Sequence, residues 1–439
     1  MSGLCVLPAL FFGQWLTEQI ESGDAALAYT LIGLQRRTLG AMLGWALDQH
    51  AWAEADGIVR PLSRYWETRG LGAEAGAWTD RILAATAEPG QDTPAPDSPA
   101  ENLWLYTLTE QATRHKDAGQ PDRAATTYRR ALAYLQQKPE TSWTRNSIAV
   151  LYHQLGMTAR DRGRLGEAED WYRKSLAIDD ELGNLPGVAI TYHQLGITAQ
   201  GRGRLEEAED WYGKALGISE ELGNRPNMAA TYHQLGMTAQ DRGRLEEAED
   251  WYRKSLAIKE ELGNLPGAAI TYHQLGMTAQ DRGRLEEAED WYRQSLAIKE
   301  ELGDRPGAAI TYHQLGSTAQ RRGRLGEAED WYGKALVISE ELGDRPHMAL
   351  TYAQCGLLAE ERGLRELALE WNVRCVSLFE EVPSPLTGTR PSRLVWLTGQ
   401  LGMPVLEETW RRVTGEAVPQ AVRDFIANQP GDDQPAGQG

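Results

Sequence analysis

Residues 271–292 read TYHQLGMTAQDRGRLEEAEDWY, and the same string stands at 231–252. Close copies begin at Leu151, Thr191 and Thr311, so the phrase returns with a period of 40 residues. The blocks 231–270 and 271–310 differ only at Lys254/Gln294, Asn264/Asp304 and Leu265/Arg305. Those at 191–230 and 311–350 share WYGKAL and ISEELG. Such self-similarity marks a protein built by stacking one unit on the next, because a single unit cannot bury its own apolar face.

Each unit reads as two helices. Within 271–310 and the residues just before it, the pattern predicts a first helix from Pro266 to Arg282. Asn264 can cap it by accepting backbone N–H bonds, and Pro266 suits its first turn, where an N–H is not needed. Ala269, Tyr272, Leu275, Gly276 and Ala279 fall on one stripe at helical spacing. Gly283 stops the helix by taking the left-handed conformation. A second helix is expected from Arg284 to Leu302, with Leu285, Ala288, Trp291, Tyr292, Leu296, Ile298 and Leu302 as its apolar stripe. No segment shows the strict alternation of a strand.

Small residues recur where the two helices must cross. The columns are Gly156, Ala168, Tyr172, Ser175; Gly196, Ala208, Tyr212, Ala215; Gly236, Ala248, Tyr252, Ser255; Gly276, Ala288, Tyr292, Ser295; and Gly316, Ala328, Tyr332, Ala335. In this frame the unit resembles the tetratricopeptide repeat. The resemblance implies an all-α fold, a right-handed superhelical solenoid of helix-turn-helix repeats with helical N- and C-terminal caps. The 40-residue period exceeds the usual 34, and the longer unit is similar to those of kinesin light chain, Pins-type adaptors and arrays attached to bacterial STAND-type ATPases. GQPDRAATTYRRAL (119–132) and the stretch around Gly356, Ala368 and Cys375 keep the frame imperfectly, as terminal repeats do.

The expected layout is a helical region at 1–90, a Pro-rich linker at 91–100 (QDTPAPDSPA), the repeat array at 101–382 with its regular units in 147–350, a helical cap at 383–428 and a disordered tail at 429–439. Residues 1–90 are similar to the helical segment that joins STAND-type cores to their repeats. The chain shows no phosphate-binding GxxxxGK[ST] loop, so ATPase activity is not carried over with that resemblance.

Totals narrow the function. The chain has 439 residues and a net charge of −18, a field that repels phosphate backbones and argues against a nucleic-acid partner. Three cysteines, Cys5, Cys355 and Cys375, are too few for a disulfide framework and suit a reducing cytoplasm. Cys355 and Cys375 fall on core columns and read as buried thiols. The opening MSGLCVLPALFFGQW lacks a basic n-region and is too short to span a bilayer, so it reads as a buried segment, with no membrane attachment expected.

No catalytic constellation or cofactor fingerprint stands out, and the chain reads as a non-enzyme without cofactors. The face of the first helix opposite the core stripe carries a ladder: His153, His193, His233, His273 and His313, with Met157, Met237 and Met277 and Gln200, Gln240, Gln280 and Gln320 beside them. In tetratricopeptide arrays this face lines the concave groove that takes peptides. The ladder is either a groove for an extended protein or peptide partner or the solvated wall of a duplicated unit. Imidazoles in neighbouring units stand on the order of 10 Å apart, too far to share a zinc ion, although they could titrate together near pH 6. The Trp column (Trp171 to Trp371) reads as packing against the next unit. The acidic runs such as Glu246, Glu247, Glu249 and Asp250 read as a solvated ridge. A sensor or regulatory subunit of a STAND-type signalling or defence system is the alternative to the adaptor.

Overall fold

The computed structural model describes residues 6–379 and 390–428. Among these residues every regular element is an α-helix. The backbone divides into two compact units, Met1–Leu222 and Gly223–Gly439. Cys5 and the C-terminal tail from 429 onward lie outside the described residues.

The first unit begins with four helices, Val6–Ser22, Ala25–Asp48, Trp52–Thr68 and Gly72–Thr86. They close around Leu16, Ile32, Leu43, Ile58 and Trp66, all nearly inaccessible to solvent. The Pro-rich stretch that follows is tied back onto the array: Asp92 pairs with Arg130 at 3.2 Å and Asp97 with Lys138 at 3.2 Å. Helices Glu101–Asp117 and Pro121–Leu135 then lead into two regular repeats, Ser142–Asp161 with Leu165–Leu182, and Leu185–Gly201 with Leu205–Glu221.

The second unit holds the pairs Arg225–Asp241 with Leu245–Glu261, Leu265–Asp281 with Leu285–Glu301, Arg305–Arg321 with Leu325–Leu342, and Arg345–Glu361 with Arg365–Ser377. The predicted helix limits at 266–282 and 284–302 fall within a residue or so of those found. Asn264 caps as expected, accepting from the Gly267 N–H at 2.9 Å, and Asp304 does the same for Gly307 at 3.0 Å. Gly283 adopts φ +74°, the left-handed turn that ends the first helix. Arg390–Leu401, Met403–Thr414 and Gln420–Asn428 close the unit over Leu394, Leu397, Leu406 and Trp410.

The crossing columns explain the close pairing. Tyr292 is fully buried, and a Cβ added at Gly276 would lie 2.6 Å from its ring. Glycine is therefore required there by the tyrosine, not by the backbone. The Ser column does more than stay small: Ser255 donates to the Ala229 carbonyl at 2.7 Å and Ser295 to that of Ala269 at 2.8 Å, fastening the second helix to the first. Near the end of the series Asn372 replaces the tyrosine and Cys375 the serine. Both are buried, and Cys375 Sγ reaches the Ala349 carbonyl at 3.4 Å.

The Trp column and the acidic ridge both engage neighbouring repeats. Trp291 tilts onto Tyr272 of its own repeat with centroids 5.7 Å apart, Arg253 of the preceding repeat lies over its ring at 5.9 Å, and it packs on clusters that take in residues of the repeats on either side. The acidic ridge is only partly solvated. Glu249 is 8% exposed, and its carboxylate is held by Arg253 at 2.7 Å together with Arg282 and Arg284 of the following repeat. Glu169 repeats this with Arg173, Arg202 and Arg204 at 2.7, 2.6 and 2.6 Å. Burial works against the charge on Glu249, but the three guanidiniums outweigh it and hold the carboxyl below its usual range. The carboxylate is thus a joint between repeats, shielded from the solvent screening that makes exposed pairs weak.

Candidate binding face

In the histidine ladder His193 is buried and the other four imidazoles half-buried, and the ladder is bonded along the array. Thr271 Oγ1 and His233 Nδ1 lie 3.3 Å apart, Thr311 and His273 3.3 Å, and Thr351 and His313 3.0 Å. Each threonine is the first residue of the next phrase. Thr271 and Thr311 donate their own hydroxyl protons to the Gly267 and Gly307 carbonyls at 3.0 Å, so the network assigns a proton to the facing Nδ1. In the first unit Thr191 and His153 stand 3.5 Å apart. Every imidazole also tilts onto the buried tyrosine of its own repeat, as His273 does on Tyr292 with centroids 5.2 Å apart.

This burial decides the titration. Desolvation, followed by the nearby Arg160, pushes His153 and His193 down to about 4. Desolvation with Lys259 and Lys299 nearby pushes His233 and His273 to about 3, and His313 falls to about 4 with His347 beside it. Coupled titration near pH 6 is therefore replaced by neutral imidazoles throughout the physiological range.

The glutamine column is engaged in the same way. Gln200, Gln240, Gln280 and Gln320 accept from the hydroxyls of Tyr212, Tyr252, Tyr292 and Tyr332 at 3.0–3.1 Å. Gln240 then donates to Asp281 at 3.2 Å and Gln280 to Ser317 at 3.3 Å, reaching into the next repeat. Met157, Met237 and Met277 are half-buried and pack on the repeat cores. The ladder singled out in the sequence thus forms the layer that spaces one repeat from the next.

The most exposed apolar residues of this face lie one turn earlier. In the first unit Val150 is 51% and Ile190 44% exposed. In the second, Ile270 is 52% and Leu350 54% exposed. They occupy one column of the repeat, in which the half-buried Ala230 precedes Ile270 and the half-buried Ile310 stands between Ile270 and Leu350. Helical spacing places Ile270, Gln274 and Met277 on one side of their helix. The sequence did carry this signal: an aliphatic residue at a fixed position of the 40-residue unit, outside the core stripe.

Each unit has a cleft along this face. In the first, about 440 Å³ opens beside Val150 and Trp143, with Arg60 stacked over the Tyr106 ring at 4.3 Å. Burial, with Glu110 adding to it, pushes the Tyr106 phenol up to about 12. In the second, about 530 Å³ opens between helices Arg225–Asp241 and Leu265–Asp281, where Ile270, Leu262 and Ala230 meet His233, Lys259 and Asn264. Among the described residues no group of His, Cys, Asp and Glu side chains could hold a metal ion, and no helix is long and apolar enough to cross a membrane. Burial pushes the Cys355 thiol up to about 12, far from the range of a reactive thiolate.

Helix pairs in register, joined through Thr–His and Glu–Arg links, define a repeat scaffold of the kind that mediates protein–protein interaction. The tetratricopeptide repeat family model matches residues 147–221, 227–301 and 307–381, just over half of the chain, and the chain belongs to that family. No curated protein matches the sequence. Among solved structures, BtubC (BKLC) from P. vanneervenii is 22% identical over 54% of this chain and 92% of its own, with a TM-score of 0.45. A kinesin-light-chain-like protein of Podosopora anserina with nearly identical TPR-like repeats is 22% identical over 45% and 96%, with a TM-score of 0.39. PilF of Pseudomonas aeruginosa is 17% identical over 57% and 99%, with a TM-score of 0.43.

Proposed function

We propose that the chain is a cytoplasmic adaptor whose first-helix face binds an extended segment of a protein partner. The observation that carries this reading is the aliphatic column. A highly charged, acidic surface leaves Ile270 and Leu350 about half exposed in one unit and Val150 and Ile190 likewise in the other. Isolated exposed aliphatics are ordinary, but a column of them at fixed repeat spacing offers anchors at regular intervals. An extended chain can place alternate side chains on such anchors. The His and Gln layer underneath keeps the spacing rigid, so the anchors are pre-organised and binding orders fewer groups. The two buried free thiols, Cys355 and Cys375, suit a reducing compartment.

The test is affinity capture from native cells with Ile270→Asp/Leu350→Asp. As control, a Glu286→Ala chain changes an exposed acidic residue of a second helix. Partner recovery is expected to fall at least about tenfold for the double variant, equivalent to about 1.4 kcal/mol, and to stay unchanged for the control. Equal recovery from all three chains would refute the reading.

A further inference from the structure

Lys259 is 8% exposed on the second helix of its repeat, beneath the cleft that opens beside Ile270. Its ammonium donates to Thr271 Oγ1 at 2.7 Å. Among the described residues no carboxylate lies within ion-pair distance of it, in a chain with 63 Asp and Glu. Leaving a buried ammonium without a counter-charge is costly, because low-dielectric surroundings disfavour the charge. Burial alone pushes this ammonium down to about 8.

The equivalent positions show what is missing. In the first unit the column holds Asp179, and the capping Asn184 donates its side-chain amide to that carboxylate at 2.7 Å. Ser219 and Ser339 occupy the column without charge. Lys299 is the other lysine, and there the cap is Asp304, whose negative charge counters the burial that lowers the ammonium. Of the two lysines, only Lys259 is paired with a neutral cap, Asn264. The Asn264 oxygen is spent on the Gly267 N–H, and its amide N–H₂ has no acceptor among the described residues. An amide donor and an ammonium donor thus border one cleft, at the position where Asn184 meets a built-in carboxylate.

We infer that the Lys259 cleft is a carboxylate site, taking a glutamate or aspartate side chain from an extended peptide whose flanking aliphatic residues lie on Ile270 and Leu262. This rests on the binding-face reading and adds the chemistry of the partner. The near-identity of the two central repeats supplies the controls. Asn264→Asp installs the internal anion that Asp304 provides one repeat later, with the cap preserved. Lys259→Ser installs the residue found at Ser219 and Ser339. Asp304→Asn removes the anion beside Lys299.

The experiment titrates the full chain with acetyl-Ile-Glu-Ile-amide and acetyl-Ile-Gln-Ile-amide, followed by NMR, with thermal melting as the folding control. The unaltered chain is expected to prefer the Glu peptide by about tenfold. That preference should fall below about twofold in Asn264→Asp and Lys259→Ser, while Asp304→Asn should gain a second Glu-selective site. Equal binding of the two peptides, binding of neither, or a preference that survives Asn264→Asp would overturn the inference. So would displacement of the Glu peptide by inorganic phosphate at lower concentration than by acetate. Failure here with partner capture still lost in Ile270→Asp/Leu350→Asp removes the carboxylate site alone. Unchanged capture in that double variant removes the binding face.

Discussion

Replacing Gly276 by alanine is expected to destabilise the second unit by about 1–3 kcal/mol, whereas Gly333→Ala is expected to stabilise it by about 0.5–1 kcal/mol. Both glycines sit inside helices, where alanine is intrinsically the better former. Their surroundings decide the sign. A Cβ at Gly276 would meet the Tyr292 ring at 2.6 Å, and that ring is locked on all sides at 0% exposure. A Cβ at Gly333 meets nothing within 4 Å. Because Tyr292 also bonds Gln280, which reaches on to Ser317, displacing the ring strains the joint to the next repeat. Urea unfolding of the two variants measures the difference, and a shift of the same sign in both would contradict this account of the crossing.

Acidification from pH 7 to pH 5 is expected to cost roughly 1 kcal/mol for each ladder imidazole. The folded values for His153, His193, His233, His273 and His313 lie at about 3 to 4, and burial is the first cause in every case. An unfolded imidazole binds its proton near pH 6.5, so the unfolded chain takes up protons first. The stability held by the neutral, buried form is therefore complete above about pH 6.5 and drains away as pH falls toward the folded values. The full linkage value at pH 5 is about 2 kcal/mol per group, and their partial exposure roughly halves it. His273→Gln should flatten the slope of the urea midpoint against pH by one group's share. A midpoint that stays level or rises between pH 7 and 5 would contradict the assignment of buried neutral histidines.

The fold was legible because its signals repeat. Asn264, Pro266, Gly276, Gly283, Ala288 and Tyr292 each state a local rule, and their recurrence every 40 residues removes the ambiguity of any single one. The partners of polar side chains were not legible. His273 looks like an exposed ligand group in a string of letters, because the threonine it bonds lies in the next repeat, 38 residues away. Glu249 reads as one more acidic residue on a charged helix for the same reason: two of its three arginines come from the following turn. Inter-repeat bonds connect positions that are distant in sequence, and periodicity within one unit carries no trace of them. Ile270 is the converse case. Its exposure follows from sitting one step off the core stripe, which helical geometry alone could have flagged.

The central claim is that an extended partner lies on the aliphatic column of the first helices. A photo-crosslinking amino acid placed at position 270, and separately at position 290 on the charged side of the second helix, tests this most directly in native cells. The account predicts a covalent partner adduct from position 270, abolished by Leu350→Asp, and none from position 290. An adduct from position 290 with none from position 270 would place the partner on the opposite surface and contradict it.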